Sequence, residues 1–268
     1  MAVYDCKLGV IGAGAMGGAI AAGLASSSAL PSGAVSACDH HADKLSRLEK
    51  LGVATYTTAE ELLASDPDVV VLAVKPQVLF SLLDEIATAL SGRLVISIAA
   101  GVSLGSLEDA LPGARVVRAM PNLPIQAKQG ATALAKGSTA SEADVSLVRS
   151  VFGALGVCEV MREDQLDAEG AVVGCGPAFF ALMVDALTRA GVRAGLPAAS
   201  LRPMVASTMG GVAAQLLSSG EHPRAYMEKV TSPGGTTAEA LKAFEPALVE
   251  GSYAAIDAAL ARTRELAG

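Results

Sequence analysis

The sequence predicts an α/β protein in two parts: a doubly wound, Rossmann-like sheet over residues 1–162, then an all-helical C-terminal domain over residues 163–268. Three observations carry this expectation. A glycine-rich turn joins the first strand pattern to the first helix pattern. Short apolar runs alternate with helical periodicity through the first half of the chain. Strand patterning stops near Asp164, and only helical patterns follow.

The first strand is expected at residues 7–11, leading into Gly12-Ala13-Gly14-Ala15-Met16-Gly17 and an alanine-rich helix to about Ala25. This is G-x-G-x-x-G in its required setting. Gly12 permits the tight turn, Gly14 lets backbone approach a pyrophosphate, and Gly17 lets helix and strand pack closely. A second strand at 35–39 ends in Asp39, where an acid can accept hydrogen bonds from the ribose hydroxyls of NAD. Further strands are expected at 53–55, 69–74, 94–98, 115–120, 131–135 and 157–160. The unbroken runs Val69-Val70-Val71-Leu72 and Leu94-Val95-Ile96 suit parallel strands covered on both faces. Helices fit between them at 42–51, 59–63, 78–90, 104–110 and 141–153, the last capped by Ser141 with Glu142 and Asp144 in its first turn.

In the second part Pro177 stands where a first-turn proline belongs, and a helix over 178–190 is expected to end at Gly191. Further helices are expected at 203–217, 223–230, 238–244 and 246–266, each break set by a proline or glycine. Phe179, Phe180, Leu182, Met183, Val184 and Leu187 are too many apolar residues for one core-facing stripe, so part of that helix is expected to pack against another subunit.

Composition narrows the function. With 268 residues, 51% hydrophobic and 18% charged, the chain can bury a large core. Residues 8–25 lack charge, but their glycines belong to the turn and no basic segment precedes them, so no membrane segment and a cytoplasmic location are expected. Cys6, Cys38, Cys158 and Cys175 show neither zinc nor disulfide spacing. A net charge of −7 and 3% aromatic residues argue against a nucleic-acid partner.

The reactive end of a nicotinamide should lie at the carboxyl edge of such a sheet, lined by Val74-Lys75-Pro76, by Ala99 and Ala100, and by Met120-Pro121-Asn122. These loops hold no histidine. His40 and His41 adjoin the adenosine end and His222 precedes Pro223. An alcohol dehydrogenase needs a base for the hydroxyl proton, whereas an imine already protonated in water needs hydride delivery above all. Near the C-terminus, Ser232-Pro233-Gly234-Gly235-Thr236-Thr237 runs into a helix. With Glu239 three residues after Thr236 as in a capping box, this turn should aim free N–H groups at a small carboxylate.

Taken together, the glycine turn, Val74-Lys75-Pro76, Ser97-Ile98-Ala99-Ala100-Gly101, Met120-Pro121-Asn122, Gly174-Cys175-Gly176-Pro177-Ala178-Phe179 and Ser232 to Thr237 resemble pyrroline-5-carboxylate reductases in order and spacing. The resemblance covers essentially the whole chain. It implies reduction of a cyclic imine carboxylate to L-proline by NADPH or NADH, and a helical domain that forms a homodimer, with a higher oligomer of dimers open. It implies that Thr237 hydrogen-bonds the imine nitrogen. Ser232, Gly234, Gly235 and the N–H groups of Thr236 and Thr237 would hold the carboxylate, with Glu163 and Cys175 also on the substrate side. Four departures stand out: Val173 and Cys175 replace hydroxyl residues, Phe179 replaces a tyrosine, and Leu123 replaces a threonine. The other readings are a related imine reductase, a hydroxyacid dehydrogenase using Lys229 or Lys242, and a dinucleotide-binding protein without catalysis. Asp39 should repel a 2′-phosphate and favour NADH, with His40, His41 and Lys44 in partial compensation.

Overall fold

The computed structural model describes residues 5–267; the first four residues and Gly268, at the ends of the two expected domains, lie outside the described residues. Two compact units are present, one running to Cys175 and taking in the residues from Leu260 onward, the other Gly176–Ala259.

The first unit is a twisted sheet in the order β3-β2-β1-β4-β5-β6-β7-β8. Its strands are β1 (Leu8–Ile11), β2 (Val35–Cys38), β3 (Ala54–Tyr56), β4 (Val69–Leu72), β5 (Leu94–Ser97), β6 (Arg115–Pro121), β7 (Gly130–Lys136) and β8 (Gly156–Val160). Each corresponds to an expected strand. Helices α1 (Ala15–Ala25), α2 (Ala42–Glu49), α3 (Ala59–Ala64), α4 (Pro76–Leu90), α5 (Leu104–Ala110), α6 (Glu142–Gly153) and α7 (Glu163–Glu169) complete the unit. Side chains alternate across the sheet, so Leu8, Val10, Val71 and Ile96 join Ile20, Leu24 and Phe152 in one core. Ile11, Val70, Leu72 and Val95 join Leu62, Leu79 and Leu83 in the other. Every residue of β1 and β4 is therefore buried, which explains their unbroken apolar runs. The expected cap of α6 forms: Ser141 Oγ accepts from the Asp144 N–H at 3.2 Å, and Asp144 Oδ2 accepts from the Ser141 N–H at 2.8 Å.

The sheet departs from the parallel expectation at one place. β7 runs antiparallel to β6, pairing Ala119 with Leu134. Only a short 3-10 turn, Leu123–Ala127, separates the two strands, and a parallel return needs a crossover of a dozen residues or more.

The second unit contains α8 (Gly176–Arg193), α9 (Ala198–Ser219), α10 (Pro223–Lys229) and most of α11 (Thr236–Ala267). Three expected breaks are corrected. Gly191 does not end α8; the helix ends in a turn closed by Leu196 N–H on the Gly191 carbonyl, with Gly195 at φ +95°. A side chain at Gly191 would meet Leu201 Cδ2 at 2.2 Å, so this glycine serves close helix packing instead. Pro203 lies inside α9, and Pro246 inside a single α11. Each proline forfeits one backbone hydrogen bond in a helix of 22 or 32 residues, which absorbs the loss.

Among the described residues of this unit only Gly176 and Thr188 are buried. Phe180, Leu182 and Met204 are 58%, 61% and 64% exposed. Within the run Glu163–Arg193 an 18-residue stretch reaches a mean hydropathy of 1.7, enough by length and composition to cross a membrane, although a π-helical turn at Gly170–Gly174 interrupts the run.

Candidate active site

Parallel β1, β2, β4, β5 and β6 bring Gly12, Asp39, Ala73, Ile98 and Asn122 to one edge of the sheet. The strand order reverses between β1 and β4, and the crevice at such a switch point is where α/β sheets bind ligands. The three glycines of the turn perform three different tasks. Gly12 has φ +99°, and a Cβ there would meet the Ala73 carbonyl oxygen at 2.7 Å. A Cβ on Gly17 would lie 1.9 Å from the Gly12 carbonyl oxygen, so the contact of α1 with the turn requires glycine. A Cβ on Gly14 would meet nothing within 4 Å. That open space directly before the N-terminus of α1 fits a dinucleotide pyrophosphate, because the first-turn N–H groups have no intrahelical acceptor.

Beside this opening lies a cleft of about 380 Å³ lined by Gly12, Gly14, Asp39, His40, His41, Lys44, Val74 and Lys75, together with Thr57, Val78, Leu82 and Glu85. A second cleft of about 480 Å³ on the α1–α2 side is lined by Ala13, Gly14, Ala15, Lys44 and Arg47. Asp39 joins β2 to the turn, for its Oδ2 accepts from the Ala13 N–H at 3.0 Å. Burial opposes ionisation of this carboxyl, but hydrogen bonds from Lys44, His41 and Ala13 outweigh burial and hold its pKa down at about 2.

The remaining expected cofactor residues have mixed surroundings. Met16 packs against the core, Pro76 opens α4 and Lys75 precedes it at the cap. Ala99 is buried and Ala100 exposed. The Asn122 amide is engaged at both ends: Nδ2 donates to the Val173 carbonyl at 3.2 Å, and Oδ1 accepts from the Ala131 N–H at 2.8 Å. It thereby ties the π-helical turn to the end of β6. Such turns recur at functional sites. Lys75 lines the cleft, while Arg118, within β6, is buried and pairs with Glu163 and Asp167. Glu163 Oε1 also accepts from the Leu104 N–H at 2.6 Å, holding the start of α5.

Cys175 is exposed, and its N–H closes the π-helical turn on the Gly170 carbonyl at 3.0 Å. In the second unit the Ser232 carbonyl accepts from the Gly235 N–H at 3.0 Å, and Gly234 has φ +67°. A side chain at Gly235 would meet Ser232 Oγ at 2.3 Å. Thr236 is the first residue of α11 and Gly235 precedes it, so Thr236 is not the cap expected from the sequence. The N–H groups of Thr236, Thr237 and Ala238 still open the helix without intrahelical acceptors.

Sequence reading did not include Thr57, Val78, Leu82 and Glu85, which reach the cleft from β3 and α4. Only the strand order brings them beside β1 and β2.

The doubly wound sheet, the open glycine turn and the following helical unit define a dinucleotide-dependent oxidoreductase with a Rossmann-type domain. Residues 163–266 match the family profile described as pyrroline-5-carboxylate reductase dimerisation. Residues 7–101 match the one described as NADP oxidoreductase, coenzyme F420-dependent. The chain is 35% identical over 267 residues to pyrroline-5-carboxylate reductase of Arabidopsis thaliana, covering 97% of this chain and 95% of that one. A pyrroline-5-carboxylate reductase structure from Coxiella burnetii superposes with TM-score 0.91 at 34% identity, covering 98% of this chain and 99% of that chain. The Plasmodium falciparum pyrroline carboxylate reductase with NADP bound superposes with TM-score 0.86 at 27% identity over 100% of both chains. This chain belongs to the pyrroline-5-carboxylate reductase family.

Proposed function

We propose that this protein reduces 1-pyrroline-5-carboxylate, a cyclic imine, to L-proline with NADPH or NADH, the last step of proline biosynthesis, as a homodimer in the cytoplasm. The observation that carries the reading is the open space over Gly14 at the sheet's switch point, in a chain matched along nearly its whole length by reductases of this name. The division of labour follows the sequence: residues 1–162 hold the dinucleotide and 163–268 hold the substrate and a second copy.

The bound nicotinamide supplies a hydride. The chain supplies placement. Gly12, Ala13, Gly14, Ala15, Met16 and Gly17 shape the pyrophosphate cradle, Asp39 holds the far end, and Val74-Lys75-Pro76, Ala99, Ala100 and Asn122 border the ring. Ser232, Gly234, Gly235 and the open N–H groups of Thr236 and Thr237 hold the substrate carboxylate, with the Thr237 hydroxyl hydrogen-bonded to the ring nitrogen. Glu163 and Cys175 complete the substrate side. No strong general acid is required, because the imine nitrogen is protonated before it binds.

A second copy is argued from the helical unit, whose apolar side chains lie open on a single chain. Purified protein mixed with NADPH or NADH and pyrroline-5-carboxylate should consume the nicotinamide absorbance and form proline. Binding of dinucleotide without turnover would leave a non-catalytic binder, and turnover of other imines alone would redirect the substrate.

A further inference from the structure

Asp39 directly follows β2, on the side of the cleft expected to take the adenosine, and its carboxylate is already full. Oδ1 lies 3.0 Å from the His41 N–H nitrogen, 2.9 Å from His41 Nδ1 and 3.0 Å from Lys44 Nζ. Oδ2 lies 3.0 Å from the Ala13 nitrogen and 3.1 Å from Lys44 Nζ. A carboxylate accepts about four hydrogen bonds. Five contacts leave none over for the ribose hydroxyls that an acid in this position ordinarily takes.

The charge is cancelled along with the lone pairs. The Lys44 ammonium sits on both oxygens, at the place where an unpaired Asp39 would repel a 2′-phosphate. Lys44 is also the more mobile partner. Its side chain is 37% exposed against 10% for Asp39, and a flexible four-carbon stem carries three rotatable donors. Lys44 borders both clefts beside Gly14, and Arg47, one turn further along α2, lines the larger. Asp39, by contrast, stays anchored by the N–H groups of Ala13 and His41 if Lys44 departs.

We propose that Lys44 is the specificity-determining residue of this cleft: paired with Asp39 it neutralises the acid, and released from Asp39 it takes the 2′-phosphate of NADPH. One site thereby accepts both dinucleotides. With NADH, Lys44 moves aside and Asp39 turns its freed oxygens to the ribose hydroxyls. With NADPH, Lys44, supported by Arg47, faces the phosphate and shields it from Asp39. The inference rests on the dinucleotide reading of the cleft and replaces the expectation that Asp39 alone selects NADH.

The test is calorimetric titration of the full-length protein with two adenosine probes, 5′-AMP and 2′,5′-ADP, which differ by the 2′-phosphate. The unaltered protein should bind 2′,5′-ADP at least as tightly as 5′-AMP. Lys44→Met should weaken 2′,5′-ADP on the order of tenfold to a hundredfold, the loss of a charge-assisted contact, while 5′-AMP binds as before or more tightly because Asp39 is freed for the ribose. Lys44→Arg should restore most of the difference. Asp39→Asn should act in the opposite direction, tightening 2′,5′-ADP relative to 5′-AMP. An unchanged ratio of the two probes in Lys44→Met, or rejection of 2′,5′-ADP by the unaltered protein, overturns the proposal. Failure of every variant and of the unaltered protein to bind 5′-AMP or NADH removes the dinucleotide reading itself, a different outcome. Lys44 is solvent-accessible, and an unaltered melting temperature of Lys44→Met separates lost contact from lost fold.

Discussion

In the sheet unit β1 and β4 are buried at every residue, whereas the 22-residue helix α9 of the other unit has no buried residue at all. The two were built from similar material, since Leu, Val, Ala and Met are abundant in both. The difference lies in what covers them. The sheet unit stacks helices on both faces and closes two cores within one chain. The helical unit presents its apolar side chains outward, and on the dimer proposal these become core only when a second copy arrives.

That contrast can be broken by substitution. Charges at Leu182 and Met204 together should abolish the dimer, read as a shift to monomer mass in light scattering with loss of turnover. A variant that remains dimeric would end the assignment of this face. Phe152→Ala, inside the first core, should cost about 3–5 kcal/mol in denaturant unfolding without altering the mass of the folded species. A smaller effect is expected at the substrate turn. Thr237→Val should lower turnover by tenfold to a hundredfold, about 1.5–3 kcal/mol, with NADH affinity kept, because on the proposed reading the hydroxyl serves the substrate. Equal losses in turnover and NADH affinity would remove Thr237 from that role.

The smallest effect concerns Glu169, whose carboxyl is buried with Oε2 lacking a hydrogen-bond partner. Burial raises its pKa from 4.5 to about 7. Its neutral form is therefore favoured by folding, so the wild-type advantage is complete below about pH 4.5 and is lost as pH rises through about 7. Glu169→Gln should accordingly gain on the wild type between pH 5 and pH 8, by on the order of 1–2 kcal/mol in thermal or denaturant melts. A constant difference across that range would show that Glu169 does not titrate there.

The same contrast governs what could be read from the amino acids. The strands were legible because burial on both faces leaves unbroken apolar runs, and the glycines of the turn because the tight passage from β1 into α1, where Gly17 meets the Gly12 carbonyl, fixes their spacing. The direction of β7 was not legible, since an apolar run carries no sign. Pro203 and Pro246 were misread as boundaries because a local penalty of roughly 3 kcal/mol is outweighed by the rest of a long helix. At the site, Asp39 stood out by position. Its saturation by Lys44 and Ala13 depends on how α2 and the turn meet in space, and the engagement of Asn122 and Glu163 depends on partners far away in the chain.

Gly191 gives this contrast a kinetic side. Its missing side chain lets Leu201 of α9 come against α8, making the α8–α9 hairpin a contact that one polypeptide can form unaided. Recovery from denaturant should then obey two rate laws. On the dimer proposal, the sheet closes in a unimolecular event indifferent to dilution, while the helices wait, hairpin ready, for a collision that becomes rarer as the protein is diluted.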